Sequence, residues 1–257
     1  MPTQFLCLFL FISQIIRAAP PPAFRLVFTC TTADARECAQ VNATIRSSLD
    51  LISRELTLRA PISVQATWTP LCEDQAECRR LGSARPARFV DVDGVDVPVA
   101  LWKQRGGGGG GADIIANFNS AYPRFHLHDG LRDADVRKQA DMLSLRYVVI
   151  HEMVHGLGFI STLPGRVSLF DSLIEGDDPR DARDGGGNYS IAGVGLYAPL
   201  VYRRDGARGG EVMRPTLGDF GRTVGDKLPR IFGPDTRKVL RAMGWTFQED
   251  EDNNNEI

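Results

Sequence analysis

No stretch of this sequence is apolar for the roughly 20 residues that a membrane-crossing helix requires. The longest largely apolar run, Phe5 to Ile16, is followed by Arg17-Ala18-Ala19-Pro20. It reads as the core of a secretory signal cut after Ala18 or Ala19. The expectation is therefore a signal peptide over 1–19 and, after its removal, a secreted, extracellular chain with no membrane attachment. An N-terminal anchor is the competing reading. Charge of one sign is also missing: 30 Lys and Arg face 32 Asp and Glu, a net charge of −2. That balance gives no electrostatic reason to expect nucleic acid as a partner. Arginine–aromatic clustering is absent too, which argues against a strand-binding groove. No repeat of roughly 20–50 residues is visible. Gly106 to Gly111 is followed by Ala112-Asp113, not by the lysine and hydroxyl of a phosphate cradle, and reads as a flexible loop.

Cysteine is sparse, and what remains is informative. Cys7 would leave with the signal, so an even set stays: Cys30, Cys38, Cys72 and Cys78. An even set in an exported chain suggests two disulfides. Close spacing favours Cys30 with Cys38 and Cys72 with Cys78, and the lack of a C-x2-C pair weighs against a structural zinc site. Sequons at Asn42 and Asn188 agree with export as glycosylation sites.

Val41, Ile45, Leu49, Ile52 and Leu56 recur at helical spacing, and Ile62 to Trp68 alternates like a strand. Phe89 to Ala100 reads as two strands turning at Asp93-Gly94. Its aspartates do not match a calcium-loop order and read as strand-face acids. Ala112 to Asn119 reads as a further strand. A helix is expected from near Asp141, and a last short one over Thr236 to Met243, closed by Gly244. Strands alternating with helices suggest an α+β domain over 20–248, followed by an acidic disordered tail over 249–257.

The chemistry concentrates at His151-Glu152-Met153-Val154-His155. Residues four apart share a helix face, so the two imidazoles can converge on one Zn2+ about 2 Å from each nitrogen. Glu152 is displaced from that line. It suits a general base for an attacking water better than a third ligand. The structural alternative is a polar helix face that happens to carry two histidines.

The segment continues Gly156-Leu157-Gly158-Phe159 and resembles the active-site helix of the metzincin-like zincins. It is similar to leishmanolysin and to related secreted peptidases of bacteria and fungi with HExxHxLGF. Asn117-Phe118-Asn119-Ser120, Leu196-Tyr197-Ala198-Pro199, Glu211-Val212-Met213-Arg214-Pro215 and the closing Met243-Gly244-Trp245 extend the likeness. The resemblance implies a zincin fold with a twisted mixed sheet, an active-site helix and a smaller C-terminal part. It also implies a substrate peptide lying along an edge strand at Ile114 to Phe118, and Met213 in a Met-turn beneath the metal. The implied activity is secreted, zinc-dependent hydrolysis of protein or peptide substrates.

The pattern breaks at the third ligand. Ser161 stands where a histidine or aspartate would be expected, and no histidine follows His155. Asp205 and Glu175 are the leading substitutes. Asp171 and Glu211 are further candidates, and His126 and His128 precede the helix. A carboxylate is chemically acceptable in this role. The gap supports an alternative: a secreted, catalytically inactive zincin-fold protein acting as a binding or structural module. Whether residues 20 to about 85 form a propeptide is left open by the sequence.

Overall fold

A computed structural model of the chain describes residues 22–72, 80–123, 125–127, 143–163, 165–176, 189–197, 201–202 and 231–250. The expected signal segment lies outside these residues. So do Cys78, His128, Asp141, Asn188, Asp205, Glu211, Met213 and 251–257.

The main sheet has four strands: β1 (Phe24–Cys30), β2 (Ile62–Thr69), β3 (Gly82–Pro86) and, after a hairpin, β6 (Ile114–Asn119). Their order is β1-β2-β6-β3, with β1, β2 and β6 parallel and β3 antiparallel to β6. Alternation along β2 decides which way it faces. Ile62, Val64, Ala66 and Trp68 are buried, whereas Gln65 between them is exposed.

The buried face receives α1 (Ala35–Ser53), whose Val41, Ile45, Leu49 and Ile52 are the helical stripe read from the sequence. Asp34 caps α1 by accepting from the amides of Arg36 and Glu37. The Trp68 indole N–H donates to Glu37 Oε1 at 2.9 Å, tying that cap to the sheet. The disulfide Cys30–Cys38 links the end of β1 to the first turns of α1. Cys72 is also disulfide-bonded.

Ile114 to Phe118 is not the edge that the resemblance implied. It lies inside the sheet, paired with β2 on one side and β3 on the other. The edge is Gly82–Pro86, a segment whose Gly, Ser and two Ala/Pro positions carry no β-former pattern.

The hairpin β4 (Phe89–Val92) and β5 (Val95–Pro98) turns at Asp93 and Gly94, both with positive φ, 52° and 83°. That is the conformation Asp-Gly favours in two-residue hairpin loops. Its acids Asp91 and Asp96 are cross-strand partners, and Arg166 pairs with both of them. Asp91 and Asp96 are thus strand-face charges that share one guanidinium. The helix α2 (Val99–Gln104) follows.

The glycine run then lies over the side chains of Trp102 and Arg88, and a Cβ at Gly107 or Gly109 would overlap them. Arg88 donates to the Gly110 carbonyl at 2.6 Å. The run therefore touches the protein at Gly107 and Gly109, where the absence of a side chain permits the approach, and is otherwise exposed.

The short strands β7 (Phe125–His126) and β8 (Leu143–Ser144) pair in parallel just before α3 (Leu145–Gly156). This helix starts later than the expected Asp141. Ser144 is its cap, accepting from the Tyr147 amide. The helix α4 (Leu169–Ser172) carries a capping box between Ser168 and Asp171. Four short antiparallel strands follow in the order β12-β11-β10-β9: β9 (Glu175–Gly176), β10 (Tyr189–Ile191), β11 (Val194–Tyr197) and β12 (Val201–Tyr202). The last helix, α5 (Pro234–Met243), has Pro at its start and Gly244 at φ 102° at its close. Arg237 and Arg241 of α5 hold Glu249, Arg241 holds Asp250, and Arg237 also pairs with Glu55 at the end of α1. The result is an α+β fold with a mixed sheet.

Candidate metal centre

The helix α3 is buried over most of its circumference. Val148, Val149, Ile150, Met153 and Val154 are all in the core. A helix of this kind carries polar side chains only where something satisfies them or uses them. His151, Glu152 and His155 are the polar residues of its second half.

The rings of His151 and His155 stand edge-to-face, with centroids 5.0 Å apart. Two imidazoles on one tetrahedral zinc, each nitrogen about 2 Å from the ion, have centroids about 5 Å apart, so the pair fits shared coordination. His155 Nδ1 lies 2.6 Å from the Phe159 carbonyl oxygen. That carbonyl can only accept, so Nδ1 carries the proton and donates it. When the ring is neutral, the lone pair then belongs to Nε2. Burial lowers the pKa of His155, opposed by the bond to Phe159, which favours the neutral, ligating form.

The Phe159 carbonyl reaches back because Gly158, at φ 113°, turns the chain directly after the helix. The turn is pinned from below, since the Trp245 indole donates to the Leu157 carbonyl at 3.2 Å. A Cβ at Gly158 would lie 2.8 Å from Met243 Cε.

Glu152 is only 9% exposed. Burial raises its pKa to about 7, opposed by a hydrogen bond from the Ala84 amide, which donates to Oε2 at 2.9 Å. Ala84 belongs to β3, and its amide is directed away from β6 onto the helix. Gly82 makes the approach possible: a Cβ there would come within 3.1 Å of Phe118 and 3.2 Å of Glu152 Cγ. Neither Ala84 nor Gly82 was identified from sequence, where the segment shows only small residues.

The remaining candidates are placed less favourably or not described. Glu175 is exposed on β9, where its Oε2 accepts from Ser190 at 3.4 Å. Asp171 is buried and spends Oδ2 on Thr162 and Ser168. Among the described residues, no group of three His, Cys, Asp or Glu forms that could hold a metal. Asp205, Glu211 and Met213 lie outside them. Asn42, on α1, accepts from the Arg46 guanidinium at 3.2 Å and is partly exposed.

A family model decides membership: the SPBPB7E8-like model matches residues 17–177, more than half of the chain. The chain belongs to the SPBPB7E8-like family. The matched span includes the whole main sheet and the helix with His151, Glu152 and His155. No curated protein matches the chain.

Proposed function

We propose that this SPBPB7E8-like protein is a secreted zinc-dependent endopeptidase of the zincin type. The observation that carries the reading is the joint geometry of His151 and His155 on one helix, with the His155 tautomer set by the Phe159 carbonyl. Nε2 of His155 and a ring nitrogen of His151 would hold the metal, with a carboxylate such as Asp205 or Glu175 completing the set. Bound zinc supplies Lewis-acid polarisation of a peptide carbonyl and acidifies water.

The protein's own residues do the rest. The Ala84 amide anchors Glu152 through Oε2 and leaves Oε1 to take a proton from the attacking water and pass it to the leaving amine. The outer side of β3 runs beside Glu152, and an extended peptide lying along it would find the Gly82 amide and the outward carbonyls of β3, since the Ala84 amide is spent on Glu152 and Pro86 has none. The disulfide Cys30–Cys38 agrees with export to an oxidising compartment.

Metal analysis of the purified chain, with hydrolysis of denatured casein before and after Glu152→Ala, tests the proposal. Stoichiometric zinc in both proteins, with activity lost by roughly 10²–10⁴-fold in the variant, supports it. Zinc without activity in either protein supports an inactive zincin-fold binding module instead. Absence of zinc at neutral pH overturns the peptidase reading.

A further inference from the structure

Away from the histidines, the loop after α1, the end of α2 and the turn closing α5 border an open pocket of about 230 Å³, in which Arg59 and Arg105 are exposed. Thr57, Arg59, Gln104, Arg105, Trp245 and Thr246 line it. Gln104 fixes one wall. Its Oε1 accepts from the amides of Arg59 and Ala60 at 2.9 and 3.1 Å, and its Nε2 donates to the carbonyls of Ala60 and Ala100. The backbone that carries Arg59 is therefore clamped.

Arg105 is fixed from the other side. It donates to the Met243 carbonyl at 3.0 Å and lies across Gly244, where a Cβ would fall 2.7 Å from its guanidinium. Among the described residues, neither arginine has a carboxylate partner. The Arg59 guanidinium makes no hydrogen bond among the described residues, and that of Arg105 makes only the one to Met243. By contrast, Arg237 and Arg241 on the nearby helix are fully engaged with acids. Each guanidinium offers five N–H donors in a rigid fork that matches paired oxygens.

We propose that this cavity binds a small oxyanion, a carboxylate or a phosphate, held between Arg59 and Arg105. The Arg105 guanidinium is already held by its bond to the Met243 carbonyl, whereas the exposed Arg59 side chain becomes ordered as the anion enters. The Thr57 hydroxyl, buried without a hydrogen-bond partner among the described residues, and Thr246 extend the polar lining. The assignment is independent of the zinc reading, because no residue of the cavity is a candidate ligand or base; Trp245 meets that site only through its bond to the Leu157 carbonyl. Trp245 on the wall supplies a spectroscopic reporter.

The test titrates the full chain with inorganic phosphate and, separately, with acetate at constant ionic strength, followed by calorimetry and tryptophan fluorescence. Saturable binding of at least one anion is expected. Arg59→Ala should weaken it by about tenfold without changing Tm, since that side chain makes no contact the fold requires. Arg25→Ala, on an exposed strand position away from the cavity, should leave it unchanged. Preference for phosphate identifies a phosphorylated ligand, and preference for acetate a carboxylate. Failure to saturate with either anion, or equal weakening by Arg25→Ala, overturns the proposal.

Discussion

The amide of Ala84 donates to Glu152 Oε2 at 2.9 Å, joining the free edge of the sheet to the helix of the two histidines. The bond is made inside a site where Glu152 is nearly excluded from water, and the two effects oppose each other. Burial is the larger, so the carboxyl pKa rises from 4.5 to about 7. The folded chain then holds this proton more tightly than the unfolded chain. The corresponding stability is fully present below about pH 4.5 and is lost as pH rises through about 7.

In metal-free protein, Glu152→Gln keeps an acceptor for Ala84 and removes the titration. The variant should match the parent near pH 4 and exceed its stability near pH 8, by up to about 3 kcal/mol. Urea denaturation in the presence of a chelator at both pH values checks this. Parallel stability curves for parent and variant would show that Glu152 is not buried in its charged form.

Gly156 bears on Ile114 of the central strand. A Cβ on Gly156 would lie 2.5 Å from Ile114 Cγ2, and both residues are buried. Replacing a helical glycine by alanine ordinarily gains up to about 1 kcal/mol. Here overpacking costs about 1–3 kcal/mol and wins. Gly156→Ala should therefore destabilise the fold. Ile114→Ala, which opens space at the cost of a cavity, should make the second change less harmful. Thermal unfolding of both single variants and the double variant measures the coupling. Strict additivity would count against direct contact.

Arg237 is the buried centre of an ion-pair network. Its side chain is 7% exposed, against 11% for Glu55 and 37% for Glu249, and its guanidinium lies 4.6 Å from the centre of the Phe247 ring. Arg237→Met keeps the apolar stem but leaves Glu55 without its cation, which should cost about 3–5 kcal/mol. Glu249→Gln, at the solvent end, should cost less than about 1 kcal/mol. Similar small losses from both changes would show that the network contributes little to stability.

The sequence showed most clearly what depends on side-chain pattern. The stripe of α1, the alternation of β2, the Asp93-Gly94 turn, the pairing of Cys30 with Cys38 and the helix of His151 and His155 all follow from residue identity at fixed spacing. What it concealed depends on backbone contacts made at long range. The edge strand at Gly82–Pro86 is held by register with β6 and by the amide at Ala84, neither of which leaves a hydrophobic signature. The start of α3 at Leu145 follows from Ser144, an unremarkable residue until its hydroxyl meets the Tyr147 amide. Likewise, the glycine run suggests slackness by composition, whereas Trp102 and Arg88 meet it at Gly107 and Gly109. The third metal ligand was undecided for a related reason: a carboxylate brought from a distance carries no local spacing.

Among the described residues, α1 and α3 pack on one face of the main sheet, and Arg25, Gln65, Ser83 and Arg85 are exposed along its strands. That arrangement gives the molecule a working side and a handle. A fluorophore or surface tether attached through a cysteine at position 65 would ride on rigid backbone, separated from His151 and His155 by the thickness of the sheet. Distances reported from such a label would record movement of the helix layer against a stationary frame.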